Sequence, residues 1–455
     1  MKFFFIHILL FLTLLLTIAC GEDRTYEYEE KTRHSHWMLE MMQDRYLWAD
    51  SLKNFEPTWK NYFAEPEAFL EVLVAPSKQG DEWSYVEIDT LQEDSHERGY
   101  FSHRDSYGLD FVLMTDPTGQ TTRQVLRVVT VYPGSPAERA GLKRNDFICS
   151  YNGYKFSKSN VSKLQKGVAR QLEVRHVGVD AQEGIFFWED TLEVSLGASE
   201  YVEDVPFPVW NVVEVDDVTV GYVMCTRLVE YPIEKESLRG GSSVYREAMD
   251  AVMREMKDAG VDELVLDLRL CNYGTLEMAQ RLASYVVSPD ARNDLFATTF
   301  WNERYTGNNS ALPYDVSLDN LGLSRIYILT SSYTQGAAEW LIHGLRYSMG
   351  EEQVITIGTE TKGQNVMTAE VGNQYYVHLF PVVAYVGDGG GDYEYDELEP
   401  TIEVDEFGFL SLDEYGSENE TLFATAIQHI LGLIGQNDGK EVDSSDKTSE
   451  EEGVE

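Results

Sequence analysis

At 455 residues the chain is long enough for two or three domains and a large buried core. Lysine and arginine number 36 against 78 aspartates and glutamates, a formal charge of −42. That balance argues against nucleic acid and anionic lipid as direct partners and leaves a neutral or cationic peptide open.

Lys2 and the apolar run from Phe3 to Ile18 make a targeting segment too short to span a bilayer as a helix. The run ends in Leu16-Thr17-Ile18-Ala19-Cys20, which resembles a bacterial lipoprotein box with Cys20 as the lipidated residue. Gly21-Glu22-Asp23 is similar to the acidic export tag of Bacteroidetes surface lipoproteins. Residues 1–20 are therefore expected to be a lipoprotein signal peptide and 21–35 a polar tether. The place implied is the outer membrane of a bacterium, facing the periplasm or the outside. The membrane would be met only through the lipid on Cys20. Cys149, Cys225 and Cys271 are too few and too scattered for a disulfide framework or a CxxC metal site. Cys149 and Cys225 lie in apolar runs and read as buried free thiols. Nothing near His34 and His36 completes a metal site, and no cofactor is expected.

Over 36–98 the apolar positions recur at helical spacing, with Trp37, Met38, Met41 and Trp48 on one face and Phe69, Leu70 and Leu73 on another. From 99 to 198 the chain resembles a PDZ domain, on the phrase Gly134-Ser135-Pro136 through Gly141-Leu142-Lys143-Arg144-Asn145-Asp146-Phe147-Ile148. Tyr107, Gly108, Leu109, Asp110 and Phe111 are similar to the loop whose N–H groups catch a peptide's terminal carboxylate in such domains. Asp110 stands where that loop has glycine and adds negative charge near the expected carboxylate. The domain is thus open to two readings, a groove for peptide or protein C-termini, or a structural brace.

From 199 to 435 strand and helix signals alternate, as in a parallel sheet with helical crossovers. Glu263 to Arg269 is a buried strand, and Val244 to Met256 is an amphipathic helix before it. The apolar run Ile326 to Leu329 leads through the turn Ser331 to Thr334 into a helix opening at Gln335-Gly336-Ala337-Ala338. A second strand, Gln353 to Ile357, runs into a loop from Gly358 to Gly363. This stretch resembles the core of the C-terminal processing (tail-specific) peptidases, serine-peptidase family 41. Their nucleophilic serine lies three residues before a glutamate, and their lysine base in a Gly-Glu-x-Thr-x-Gly-Lys loop. With Glu339 as anchor the nucleophile position falls on Gly336. With Gly358, Thr361 and Gly363 as anchors the base position falls on Gln364 and the assisting position on Thr368. Glycine has no side chain to attack with, and an amide cannot take a proton from a hydroxyl. The family's Asp-Leu-Arg-x-Asn-Gly-Gly-Gly motif, which supplies an oxyanion-hole N–H, is matched by Asp267, Leu268, Arg269 and Gly274. Asn272-Tyr273-Gly274 stands for its glycines, and Tyr273 is expected to narrow the space for a scissile carbonyl.

A displaced dyad of Ser332 and Lys362 is the remaining catalytic reading. A two-residue shift moves a side chain by about 6–7 Å along a strand, against the roughly 2.6–3.2 Å that proton transfer needs. The loop from Gly387 to Glu397 is glycine-rich and acidic but lacks the ligand spacing of a calcium loop, and reads as a solvated hairpin tip. Leu422 to Ile434 make a closing helix, and 436–455 an acidic disordered tail. The resemblance implies an α/β multidomain protein: N-terminal helical segment, PDZ domain, and a ClpP/crotonase-like α/β domain. The reading is a peptide-binding pseudopeptidase of the cell envelope, with an active serine endopeptidase and a structural surface component as alternatives.

Overall fold

The structure is a computed structural model that describes residues 25–77, 80–88, 103–180, 185–203, 205–231, 243–374, 377–408 and 412–435. The signal segment and the acidic tail lie outside the described residues. The chain forms two compact units: residues 1–99 with 301–307 and 368–384, and residues 100–300 with 308–367 and 385–455.

In the first unit helix α1 (Thr25–Arg45) packs with α2 (Pro66–Val74), and Tyr85–Ile88 pairs antiparallel with Val377–Phe380. Helix α1 begins within the stretch read as a tether. Its first turns carry small polar residues on the inner side, where Thr32 and Ser35 are buried and the Ser35 hydroxyl donates to the Tyr62 carbonyl at 2.9 Å. Such a face leaves no apolar periodicity to read, so tertiary packing decides the helix.

The second unit opens with a six-stranded antiparallel sheet. Five strands lie in a row, β1 (Leu109–Thr115), β2 (Gln124–Val131), β3 (Phe147–Tyr151), β4 (Arg170–Arg175) and β5 (Leu192–Leu196), in spatial order 5-4-3-2-1, and the short strand Tyr154–Lys155 pairs with β3 off that row. Short helix α3 (Pro136–Arg139) is capped by the Ser135 hydroxyl, which accepts the Glu138 N–H at 3.1 Å. Cys149 is half-buried rather than buried, at the point where the register of β3 against β4 shifts between Ile148 and Ser150, and burial pushes its thiol up to about 12.

A six-stranded sheet follows: β6 (Trp210–Val215), β7 (Val218–Met224), β8 (Glu263–Asp267), β9 (Ile326–Thr330), β10 (Val354–Gly358) and β11 (Ile402–Glu403), in that spatial order. Only β6 runs antiparallel to its neighbour. Both faces are buried, which is why these strands read as apolar runs without alternation. Val223, Leu264, Leu266, Ile326 and Ile328 face the core formed by α4 (Val244–Ala259), α5 (Leu276–Val286) and α6 (Ala337–Met349). Tyr222, Val265, Tyr327, Leu329 and Ile355 face α7 (Thr421–Ile430).

Between the two sheets sits a buried knot of charge. The fully buried Arg269 donates from Nε to Asp267, from Nη1 to Glu406 Oε2 and Glu420 Oε1 at 2.7 Å each, and from Nη2 to Glu420 Oε2 at 2.9 Å. Arg144, from the loop before β3, reaches the same Glu406 oxygen at 2.7 Å and stacks on Tyr415 at 3.9 Å. The Tyr222 hydroxyl donates to Asp267 at 2.5 Å. The loop of 387–397 is a tight turn closed by the Asp388 N–H to the Asp392 carbonyl, and no group able to hold a metal ion exists among the described residues.

Candidate functional site

The site lies at the carboxyl ends of β8, β9 and β10, where parallel strands leave a crevice. Ser331 to Thr334 turn the chain from β9 into α6. The Thr334 hydroxyl donates to the Leu268 carbonyl at 3.0 Å, and the Ser331 hydroxyl to the Arg269 carbonyl at 2.6 Å. Both hydroxyls therefore pin the turn to the end of β8. Gly336 follows as the N-cap of α6 at φ 59 and ψ −112, a conformation that strains any residue with a side chain. A sharp strand-to-helix turn of this kind is how a nucleophile is presented above a sheet.

Gln364 closes the other side. A Cβ placed on Gly336 would lie 3.0 Å from Gln364 Oε1, so the two positions are adjacent across the crevice. The Gln364 amide is fully engaged: Oε1 accepts from Gln335 Nε2 at 2.9 Å and Nε2 donates to the Val366 carbonyl at 2.9 Å. Its backbone carbonyl accepts the Trp340 indole N–H at 2.9 Å. Gln335 was not singled out by the sequence, and its position beside Gly336 was the available signal.

Glu339 holds the two loops in register. Its buried carboxylate accepts the N–H groups of Gly336 (2.9 Å), Gly363 (2.6 Å) and Gln364 (2.8 Å) and the Thr361 hydroxyl (2.5 Å). Burial pushes its carboxyl above the usual range, although all four donors pull the other way. Glu339→Gln is expected to lower stability by about 2–4 kcal/mol in thermal or urea unfolding, because an amide N–H₂ would face converging donors.

Gly274 keeps its place against the helix. A Cβ there would come within 2.7 Å of Ala337 Cβ and 2.6 Å of Leu228 Cβ, so only glycine fits. The Gly274 and Ala337 N–H groups have no acceptor among the described residues. The backbone of this loop lies against α6 at Gly274, with Tyr273 half-buried beside it. Ser332 and Lys362 are both exposed, and no hydrogen bond joins them among the described residues. Thr368 ends the short strand Val366–Thr368 and belongs to the first unit.

Tyr107 to Phe111 lie together at the start of β1, whose outer edge has no neighbouring strand in its sheet among the described residues. Two of the loop's donors are engaged. The Tyr107 N–H bonds the Gln165 carbonyl at 3.1 Å, and the Gly108 N–H bonds the Ser106 hydroxyl at 2.7 Å. Asp110 accepts the Tyr132 hydroxyl at 2.7 Å.

A PDZ sheet joined to a parallel sheet whose strand-turn-helix ledge carries this crevice is the architecture of a processing protease. Family models match three stretches: the peptidase S41 N-terminal domain over 33–85, a PDZ domain over 127–169, and peptidase family S41 over 220–404. Residues 220–404 are thus a peptidase family S41 domain, preceded by that family's N-terminal domain and a PDZ domain. A candidate S41 protease from Bacteroides fragilis NCTC 9343 is 29% identical, with 88% of this chain and 98% of that one covered, at a TM-score of 0.77. A photosystem II D1 C-terminal processing protease is 17% identical, over 82% of this chain and 93% of its own, at a TM-score of 0.46. No curated protein matches the chain.

Proposed function

We propose that this S41 protein is a non-catalytic, peptide-binding pseudopeptidase of the bacterial cell envelope, anchored through a lipid on Cys20. One observation carries the reading: a Cβ on Gly336 would lie 3.0 Å from Gln364 Oε1, so the two positions are adjacent as a nucleophile and base would be, yet neither residue can attack or accept a proton. The Ser331 and Thr334 hydroxyls of the turn before Gly336 are committed to backbone carbonyls, so neither is poised to attack. The PDZ and S41 domains fit peptide C-termini as ligands. The open edge of β1 can add a peptide strand, and a terminal carboxylate would displace the Ser106 hydroxyl from the Gly108 N–H.

Two measurements test this. Unstructured peptides and a fluorophosphonate probe are expected to give neither cleavage nor labelling; a signal abolished by Ser332→Ala or Lys362→Ala would establish the active alternative. Peptides ending in a free carboxylate are expected to bind, and amidation of that end to weaken binding by about tenfold through loss of a charge-assisted bond. Absence of any peptide binding would leave the structural-component reading in its place.

A further inference from the structure

The first unit displays an aromatic patch that the peptidase architecture does not use. Trp59 is 67% exposed, Phe63 42% and Tyr28 40%. The three are contiguous: the Phe63 ring lies 5.5 Å from Tyr28 and 6.3 Å from Trp59, both edge-on. The patch stands on a firm base, because Tyr62 beside it stacks on His36 at 4.2 Å and lies 5.7 Å from the buried Phe69. Rings held open to solvent on a rigid foundation mark a contact surface, since a monomer gains nothing by exposing them together.

Position in the chain says what covers it. Tyr28 lies in the first turns of α1, and that helix begins five residues after Cys20. Five residues reach at most about 18 Å, comparable with the depth of a headgroup layer plus one ring of side chains. A lipid on Cys20 therefore holds this end of the unit at the bilayer surface. Aromatic rings with a polar or cationic fringe favour the headgroup boundary, and the Lys60 ammonium lies 5.8 Å from the centre of the Trp59 ring. Exposed Glu27, Glu29 and Glu30 at the start of α1 would be repelled by anionic lipid, which selects a zwitterionic surface.

We infer that Tyr28, Trp59 and Phe63 form a docking surface for zwitterionic phospholipid that orients the protein on its membrane. The inference rests on the lipid-anchored reading but does not need the anchor for its test. The chain from Gly21 onward, which keeps every described residue, is expected to float with phosphatidylcholine vesicles. The backbone amides of 58–63 are expected to gain protection from deuterium exchange when it does. Trp59→Ser with Phe63→Ser should cut the floated fraction about tenfold while leaving the melting temperature unchanged, since both side chains are exposed. Failure of the parent to float, equal flotation of the variant, or binding confined to anionic vesicles and abolished by salt would overturn the docking surface. The anchor is read separately, by loss of fatty-acid labelling in Cys20→Ala, so either idea can fail without the other.

Discussion

Arg269→Ala is expected to be among the most damaging single substitutions in this chain, lowering stability by about 3–5 kcal/mol or more, because removing one partner of a buried ionic cluster leaves uncompensated charge. Asp267, Glu406 and Glu420 would then share only Arg144 within the knot. Arg269→Lys should rescue little, since a point charge cannot replace a fork that serves three carboxylates at once. The pH dependence separates this cause from a simple loss of packing. In the parent, burial raises the Glu420 carboxyl but the Arg269 charge and hydrogen bonds outweigh it, holding it below the ordinary value. Its contribution is present above the unfolded carboxylate value and is lost as pH falls through the folded one. Asp267 runs the other way: burial outweighs Arg269 and Tyr222 and lifts it, so its ionisation weakens folding as pH rises through the folded value. Without Arg269 the Asp267 and Glu420 carboxyls would both be lifted. The deficit of the variant against the parent should therefore shrink from pH 7 to pH 5 in urea unfolding. A deficit independent of pH would mean that the charges are not the cause.

The second large effect concerns chemistry. If the crevice is a peptidase site emptied of its reactive groups, turnover of the parent should lie about 10⁶-fold below that of an intact dyad enzyme, the loss seen when a nucleophile is removed. Gly336→Ser with Gln364→Lys puts a hydroxyl and an amine at two positions close enough that a Cβ on residue 336 would lie 3.0 Å from Gln364 Oε1. Adding Tyr273→Gly reopens the space beside Gly274 and Ala337. The triple variant is expected to gain fluorophosphonate labelling at residue 336 and measurable peptide cleavage, with the double variant weaker. No labelling of a folded triple variant would show that the ledge is not a former catalytic site.

Much of the architecture was legible because parallel strands and amphipathic helices leave apolar runs and helical stripes in the sequence. The ledge from 326 to 364 could be placed to within a residue or two, the strands lying at Ile326–Thr330 and Val354–Gly358 and the helix starting at Ala337, and the anchor Glu339 is bonded to the other two, Thr361 and Gly363. The helix over 25–35 was not legible, because its buried face is made of Thr32 and Ser35 and its order comes from Tyr62, some thirty residues away, whose carbonyl takes the Ser35 hydroxyl. The charge knot was equally hidden. Arg144, Arg269, Glu406 and Glu420 are far apart in sequence, and each alone looks like an ordinary surface residue. The occupied donors of the PDZ loop were invisible too, as they depend on where the Ser106 side chain and the Gln165 carbonyl happen to fall.

The backbone at residue 336 also bears on how such a protein changes over time. A serine there must hold a left-handed conformation at a cost of about 1–3 kcal/mol, which the rest of the molecule has to absorb. Glycine occupies the same dihedral angles without that cost. Under the proposed reading, exchanging a serine for glycine here is a step downhill in folding energy, whereas the reverse exchange means climbing back and supplying a lysine in the same event. Such an asymmetry would work as a ratchet against regaining the dyad.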